Sequence, residues 1–209
     1  ADLKQAKRIL FEQREKDGFV SLGLADIDLE TMRYRRIALR GNFEPEFQIL
    51  LDNKVYKGQA GYHVVTPLLI SGSGKRILVN RGWVPVGADR NVLPKIETVG
   101  SQVEVTGYLQ DLSGRYFELG SGKGVAEKWQ VVWQNLDIER YKKLVKYEIQ
   151  PGMLLLDSSS TVGGFVREWP KPDDRMEVNR GYAIQWYLMS LALIIIFIVT
   201  NLKKTTPQE

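Results

Sequence analysis

The sequence predicts an α+β fold: a mainly antiparallel β-sheet or small barrel domain with flanking helices, plus a C-terminal transmembrane helix. Three observations lead there. Short apolar segments with a two-residue period recur between residues 34 and 156, as in half-buried strands. Glycine, proline and Asp/Asn clusters punctuate them, and helical periodicity is confined to short stretches, which favours antiparallel connections. Residues 181–202 carry no charged side chain. As a helix rising about 1.5 Å per residue they reach roughly 33 Å, enough for the ~30 Å hydrocarbon core.

Residues 1–16 read as a helix, with Leu3, Ala6 and Leu10 on one stripe and Lys4, Lys7, Arg8 and Arg14 on the other face. It suits an ordinary surface helix or the continuation of an upstream span, and Asp17-Gly18 ends it. Asp28-Leu29-Glu30-Thr31 leads into a strand over 34–41, where Ile37 and Leu39 alternate with Arg36, Ala38 and Arg40. Residues 47–51 form the next strand, and Asp52-Asn53-Lys54 turns it towards Val55-Tyr56. The β-rich run 62–66 stops at Pro67, which has no N–H for a central ladder. Ser71-Gly72-Ser73-Gly74-Lys75 is a hairpin turn, because the Gly-x4-Gly-Lys-Ser/Thr spacing of a phosphate loop is absent. Residues 76–80 are a buried strand ending at Arg81-Gly82-Trp83-Val84-Pro85, and 103–109 alternate cleanly. Residues 113–125 read as a long loop and 129–133 as a strand. Asp137 caps a helix over 138–146, and 151–156 is the last strand. Gly163-Gly164 and Trp169-Pro170-Lys171-Pro172 form an irregular lead into the final helix.

Composition narrows the chemistry. The chain has 29 basic and 25 acidic residues, a net charge of +4 without any block of like charge. Nucleic acid is therefore not expected as a partner, whereas a lipid bilayer is. There are no cysteines, which removes thiolate metal sites, disulfides, c-type haem attachment and thiol nucleophiles together. His63 is the one histidine, so a histidine-rich metal site is not expected, and a Ser-His-Asp hydrolase would have to use that residue.

Three stretches concentrate unusual residues: Gly61-Tyr62-His63-Val64-Val65-Thr66-Pro67-Leu68, Leu78-Val79-Asn80-Arg81-Gly82-Trp83-Val84-Pro85, and Asn179-Arg180-Gly181-Tyr182-Ala183-Ile184-Gln185-Trp186. With Leu51-Asp52-Asn53 and Leu93-Pro94, these runs resemble the Surfeit locus protein 1 family of cytochrome c oxidase assembly factors, through most of the chain. The resemblance implies two spans with the domain between them, so that a second, N-terminal span would lie upstream of Ala1. The organisation expected is a juxtamembrane helix (1–17), a β-rich extramembrane domain (18–178), a transmembrane helix (179–203) and a tail (204–209). It also implies residence in the bacterial inner membrane with the domain on the periplasmic side, or in the mitochondrial inner membrane facing the intermembrane space. Lys203 and Lys204 agree with a cytoplasmic C-terminus, although Arg175 and Arg180 flank the other end.

The function implied is that of a non-enzymatic factor assisting haem a insertion into, or stabilisation of, oxidase subunit I, in contact with subunit I or the haem a synthase. The family's proposed haem-ligating histidine precedes the Gly-Tyr-Ala run by two residues. Here that position is Asn179, and a carboxamide is a poor axial ligand where imidazole is a common one. His63 and Arg81 are then the candidates for haem contact, His63 through iron and Arg81 through a propionate. Each also has a structural reading: His63 as a satisfied, partly buried side chain, and Arg81 paired with an internal carboxylate such as Asp52. Trp83, Gln185, Trp186 and Tyr182 are candidates for partner contact. Trp83 otherwise fills core, Trp186 and Tyr182 otherwise anchor the interface, and Gln185 favours another helix over lipid. Two rival functions are a haem a carrier using His63 and a small periplasmic hydrolase, the latter opposed by the single histidine and the lack of a nucleophile elbow.

Overall fold

The computed structural model describes residues 9, 13–14, 17–18, 20–21, 27–32, 34–97, 99–112, 128–169 and 176–202. Its elements are β1 (Val20–Ser21), α1 (Leu29–Met32), β2 (Arg36–Phe43), a 3-10 turn (Pro45–Phe47), β3 (Ile49–Tyr56), β4 (Gln59–Ile70), β5 (Arg76–Pro85), β6 (Val103–Gln110), β7 (Val132–Trp133), α2 (Ile138–Val145), β8 (Ile149–Leu156) and α3 (Met176–Leu202). The strands form one sheet in the order β1-β2-β6-β8-β5-β4-β3-β7. Because β2 also pairs with β4, the run β2-β6-β8-β5-β4 closes into a five-stranded barrel. The pairings are antiparallel except β1 with β2, β3 with β7 and β5 with β8. This is the mainly β, barrel-like α+β architecture that the alternating segments predict.

Strand alternation builds the interior. In β2 Ile37, Leu39, Gly41 and Phe43 are buried while Arg40 and Asn42 face water. With Leu68, Ile77, Val79, Val105 and Leu154 they fill the barrel, each large side chain contributing about 1.5–3 kcal/mol through burial. A second apolar layer joins Ile49, Val65, Leu78 and Met153 to Trp133, Tyr141 and Val145. It docks α2, whose start is set by Asp137, as expected: its carboxylate accepts the Arg140 N–H at 2.9 Å. Tyr141 then donates its hydroxyl to the Phe47 carbonyl at 2.7 Å.

The strands run further than the local signals suggest. Pro67 does not stop β4, which continues to Ile70. Its carbonyl accepts the Glu44 N–H, so its missing N–H points to the gap where pairing passes from β3 (Ile49↔Val65) to β2 (Phe43↔Leu68), and no ladder bond is lost. Asp52-Asn53-Lys54 is a bulge rather than a turn. Asn53 takes φ 57 and donates its N–H to Asp52 Oδ1, and β3 resumes its pairing at Lys54. Residues 81–85 likewise belong to β5 instead of ending it. Phe47 falls in the 3-10 turn, and of the strand expected over 129–133 only Val132–Trp133 pairs.

Of the helix expected over 1–16 only residues 9, 13 and 14 are described, and they are helical. The loop 113–125, the proline-rich lead 170–172 and the tail 204–209 lie outside the described residues. Residues 9–169 form a compact unit. The helix α3 belongs to a second unit; its stretch Ile184–Asn201 is long and apolar enough to cross a membrane and is wholly unburied. Near its end Thr200 and Asn201 return side-chain donors to the Ile196 and Phe197 carbonyls, which satisfies them without water.

Candidate functional site

The two distinctive runs of the soluble unit lie on neighbouring strands. β4 pairs β5 with His63 opposite Trp83 and Val64 opposite Gly82, then slips so that Val65 faces Asn80. Arg81 is the extra residue of this β-bulge. Asn80 Oδ1 accepts the Gly82 N–H at 3.2 Å, and Gly82 sits at φ 131, a conformation that favours glycine. The turn expected at Asn80 and Gly82 is thus a kink within a continuous strand.

Alternation puts Arg81 in the inward row after Ile77 and Val79, and the bulge turns Trp83, which follows it, to the other face. Its side chain is 1% exposed, with the guanidinium between the Phe43 and Phe165 rings at 5.0 and 4.9 Å. It donates to Gln48 Oε1 at 3.2 Å and to the Glu97 carbonyl at 3.1 Å, while its Nε–H has no partner among the described residues. The pairing with Asp52 is overturned: Asp52 binds Arg90 at 3.0 Å instead, because it sits on the bulge of β3 while Arg81 points into the barrel. Burial, followed by the charge of Arg167, lowers Arg81 to about 10, opposed by Glu97. Ring faces and neutral oxygens hold this cation, the arrangement that suits a planar guanidinium.

His63 is partly buried. Its Nδ1 lies 3.3 Å from Asn80 Nδ2, and its ring meets Trp169 edge to face at 5.4 Å. Burial, with the Lys54 ammonium next, drives its pKa down to about 4, so the imidazole is neutral at physiological pH. Asn80 Oδ1 is committed to Gly82, which turns the amide N–H towards Nδ1. Nδ1 therefore accepts and Nε2 holds the proton. Iron ligation needs a ring nitrogen with a free lone pair. Here one lone pair is engaged and the other nitrogen is protonated, so His63 as placed does not fit an axial haem ligand.

Trp83 is 7% exposed, donates its indole N–H to the Lys54 carbonyl at 2.9 Å and packs against Tyr56; it fills core. The residues not anticipated lie on a strap, 160–169, across the bulge. Val166 pairs with Trp83 through two backbone bonds of 2.7 and 3.1 Å. Arg167 donates to the carbonyls of Arg81, at 2.7 Å, of Ser160 and of Val162. The Trp169 indole donates to the Leu156 carbonyl at 2.7 Å. In the sequence the visible sign was Gly163-Gly164 followed by Phe165, Val166, Arg167 and Trp169. On α3, Gln185 and Trp186 are exposed; the side chains of Asn179 and Tyr182 lie outside the described residues. His63 and Trp83 are thus cross-strand partners on one face of β4 and β5, Arg81 points into the barrel from the other face, and Gln185 and Trp186 lie on a separate helix.

Residues 4–191 match the family model described as the SURF1 family. The chain is similar to a SURF1-like protein of Dictyostelium discoideum, 41% identical over 56 residues that make up 27% of this chain and 20% of that protein. It aligns with Surfeit locus protein 1 of Takifugu rubripes at 25% identity, covering 96% of this chain and 90% of the relative. A third relative, the cytochrome oxidase assembly protein SHY1 of Saccharomyces cerevisiae, is 29% identical over 26% of this chain and 14% of its own length. The chain therefore spans a fifth or less of the Dictyostelium and yeast relatives and nearly all of the Takifugu one.

Proposed function

The chain belongs to the SURF1 family, and on that premise we propose that it is a membrane-anchored, non-catalytic assembly factor for cytochrome c oxidase. The match over residues 4–191, taken with the name of the yeast relative, supports the reading, and the apolar stretch Ile184–Asn201 supplies the anchor. In this reading the factor resides in a bacterial or mitochondrial inner membrane, with the β unit outside the cytoplasm or matrix. It assists haem a insertion into subunit I, or stabilises that subunit before completion, and its partners are subunit I or the haem a synthase. Gln185 and Trp186 are the exposed groups offered to another helix.

Holding a partner suits this site better than holding iron. The imidazole of His63 is oriented by Asn80 with its proton on Nε2, and the Arg81 guanidinium is enclosed by rings. Haem a in this reading stays with the oxidase subunit or its synthase. The test is purification of the full chain from mildly solubilised membranes, with mass spectrometry and a visible spectrum of the eluate. Subunit I or the synthase should co-purify, and any Soret absorbance should survive His63→Ala. Absence of every oxidase and haem-synthesis polypeptide would overturn the proposal. A Soret band lost with His63 would favour the carrier reading.

A further inference from the structure

The strap over residues 160–169 is attached differently from the strands around it. β4 and β5 pair continuously from Gly61↔Pro85 to Leu69↔Arg76, whereas the strap joins β5 at one bridge, Trp83↔Val166. Beyond that bridge its polar attachments among the described residues are few. The Glu168 carboxylate accepts the Tyr56 hydroxyl at 2.6 Å and faces Lys57 at 3.7 Å, and both charged groups are well exposed, so that ion pair contributes little. Trp169 contributes its indole bond. Arg167 supplies the rest, with all three of its bonds going to carbonyls, one on β5 and two on the strap's own turn. That turn contains Gly163 and Gly164 at φ 84 and 59, two successive positive-φ positions of the kind that serve as a hinge.

Beneath the strap lies a cation. Phe165 covers one face of the Arg81 guanidinium, and Arg167 brings a second positive charge close to it. Lifting the strap would separate the two like charges and hydrate both, which offsets part of the lost bonding. The contact of Arg81 with Phe43, inside the barrel, would stay. The fit is close: a side chain at Gly82 would place its Cβ 2.5 Å from Phe165 Cβ and 2.8 Å from the Val166 carbonyl oxygen.

We infer that residues 160–169 form a latch over the bulge at Arg81 and Gly82, hinged at Gly163 and Gly164 and held shut by Arg167, which opens without unfolding the barrel. The open form frees the backbone edge of β5 at Trp83 and uncovers the Arg81 guanidinium at its Phe165 contact. A strap joined by a single bridge and a few side-chain bonds opens locally, whereas strands paired along both edges open only with the whole barrel.

Native-state hydrogen exchange on the full chain in detergent micelles, at rising sub-denaturing urea, tests this. The reporters are the amides of Trp83 and Val166, which form the bridge, and the controls are Val79 and Leu154 in the barrel wall. In the wild type the reporters should exchange at least about 10-fold faster than the controls, with rates independent of urea, as local openings do. Arg167→Lys keeps the charge but loses the fork, and should speed the reporters by roughly another 10-fold while the controls stay unchanged. Reporters that exchange at the controls' rate and with the controls' urea dependence would show the strap to be a fixed part of the barrel. Reporters indifferent to Arg167→Lys would remove that residue as the catch. Should that variant fail to fold, the wild-type urea series decides alone.

Discussion

A single histidine gives this protein a clean titration probe. The unfolded imidazole titrates near 6.5 and the folded one at about 4, so between those values the unfolded chain binds a proton that the folded chain refuses. Stability is fully present above pH 6.5 and is lost as pH falls towards 4, by up to roughly 3 kcal/mol at ~1.4 kcal/mol per unit. Urea melts of the wild type and His63→Gln should differ in this window, the variant showing the flatter profile, and the His63 ring resonance should titrate near 4. A midpoint near 6.5 in the folded protein would contradict the buried, neutral imidazole described above. At this scale the sequence marked Arg81 and Trp83 as unusual and offered Trp83 either as a partner contact or as core; its side chain is buried in the structure. The partner of Arg81 was misjudged, because oppositely charged residues are easy to match along a sequence whereas aromatic faces and carbonyls leave no such mark. Arg167 went unnoticed for the same reason: its acceptors are all backbone.

Among the elements, strand positions were legible wherever one face is buried, as in β2 and β6, since alternation records burial directly. Their ends were less so. Pro67 and Asn53 look like terminators, yet β4 and β3 continue past both, because what matters is whether an N–H is needed at that point of the ladder. α2 was readable to within a residue, its start written in one side chain. Asp137→Ala removes the acceptor of the Arg140 N–H and should cost about 1 kcal/mol, read as a lower urea midpoint with unchanged m-value. A larger loss with a changed m-value would mean that the whole layer holding Tyr141 and Val145 detaches with the cap.

For the molecule as a whole, the apolar tail end was the plainest signal; alternation and turns pointed to a sheet or small barrel, but not to which strands close it, because the strands that meet are far apart in the chain. A charge at mid-span tests the anchor: Leu193→Arg costs about 2.5–3.5 kcal/mol of insertion and should shift the protein from the carbonate-resistant membrane fraction towards the soluble one. Retention equal to wild type would mean that α3 is not what holds it there. The wall itself has a further consequence. β8 is inserted between β5 and β6 and lies parallel to β5, so the gap between those two earlier strands stays open until residues 149–156 arrive. On a chain made from its N-terminus, both bare rims wait through the whole of 111–148, and the keystone is laid barely twenty residues before the membrane helix begins. Nascent chains halted in that interval are the ones a chaperone would have to shelter.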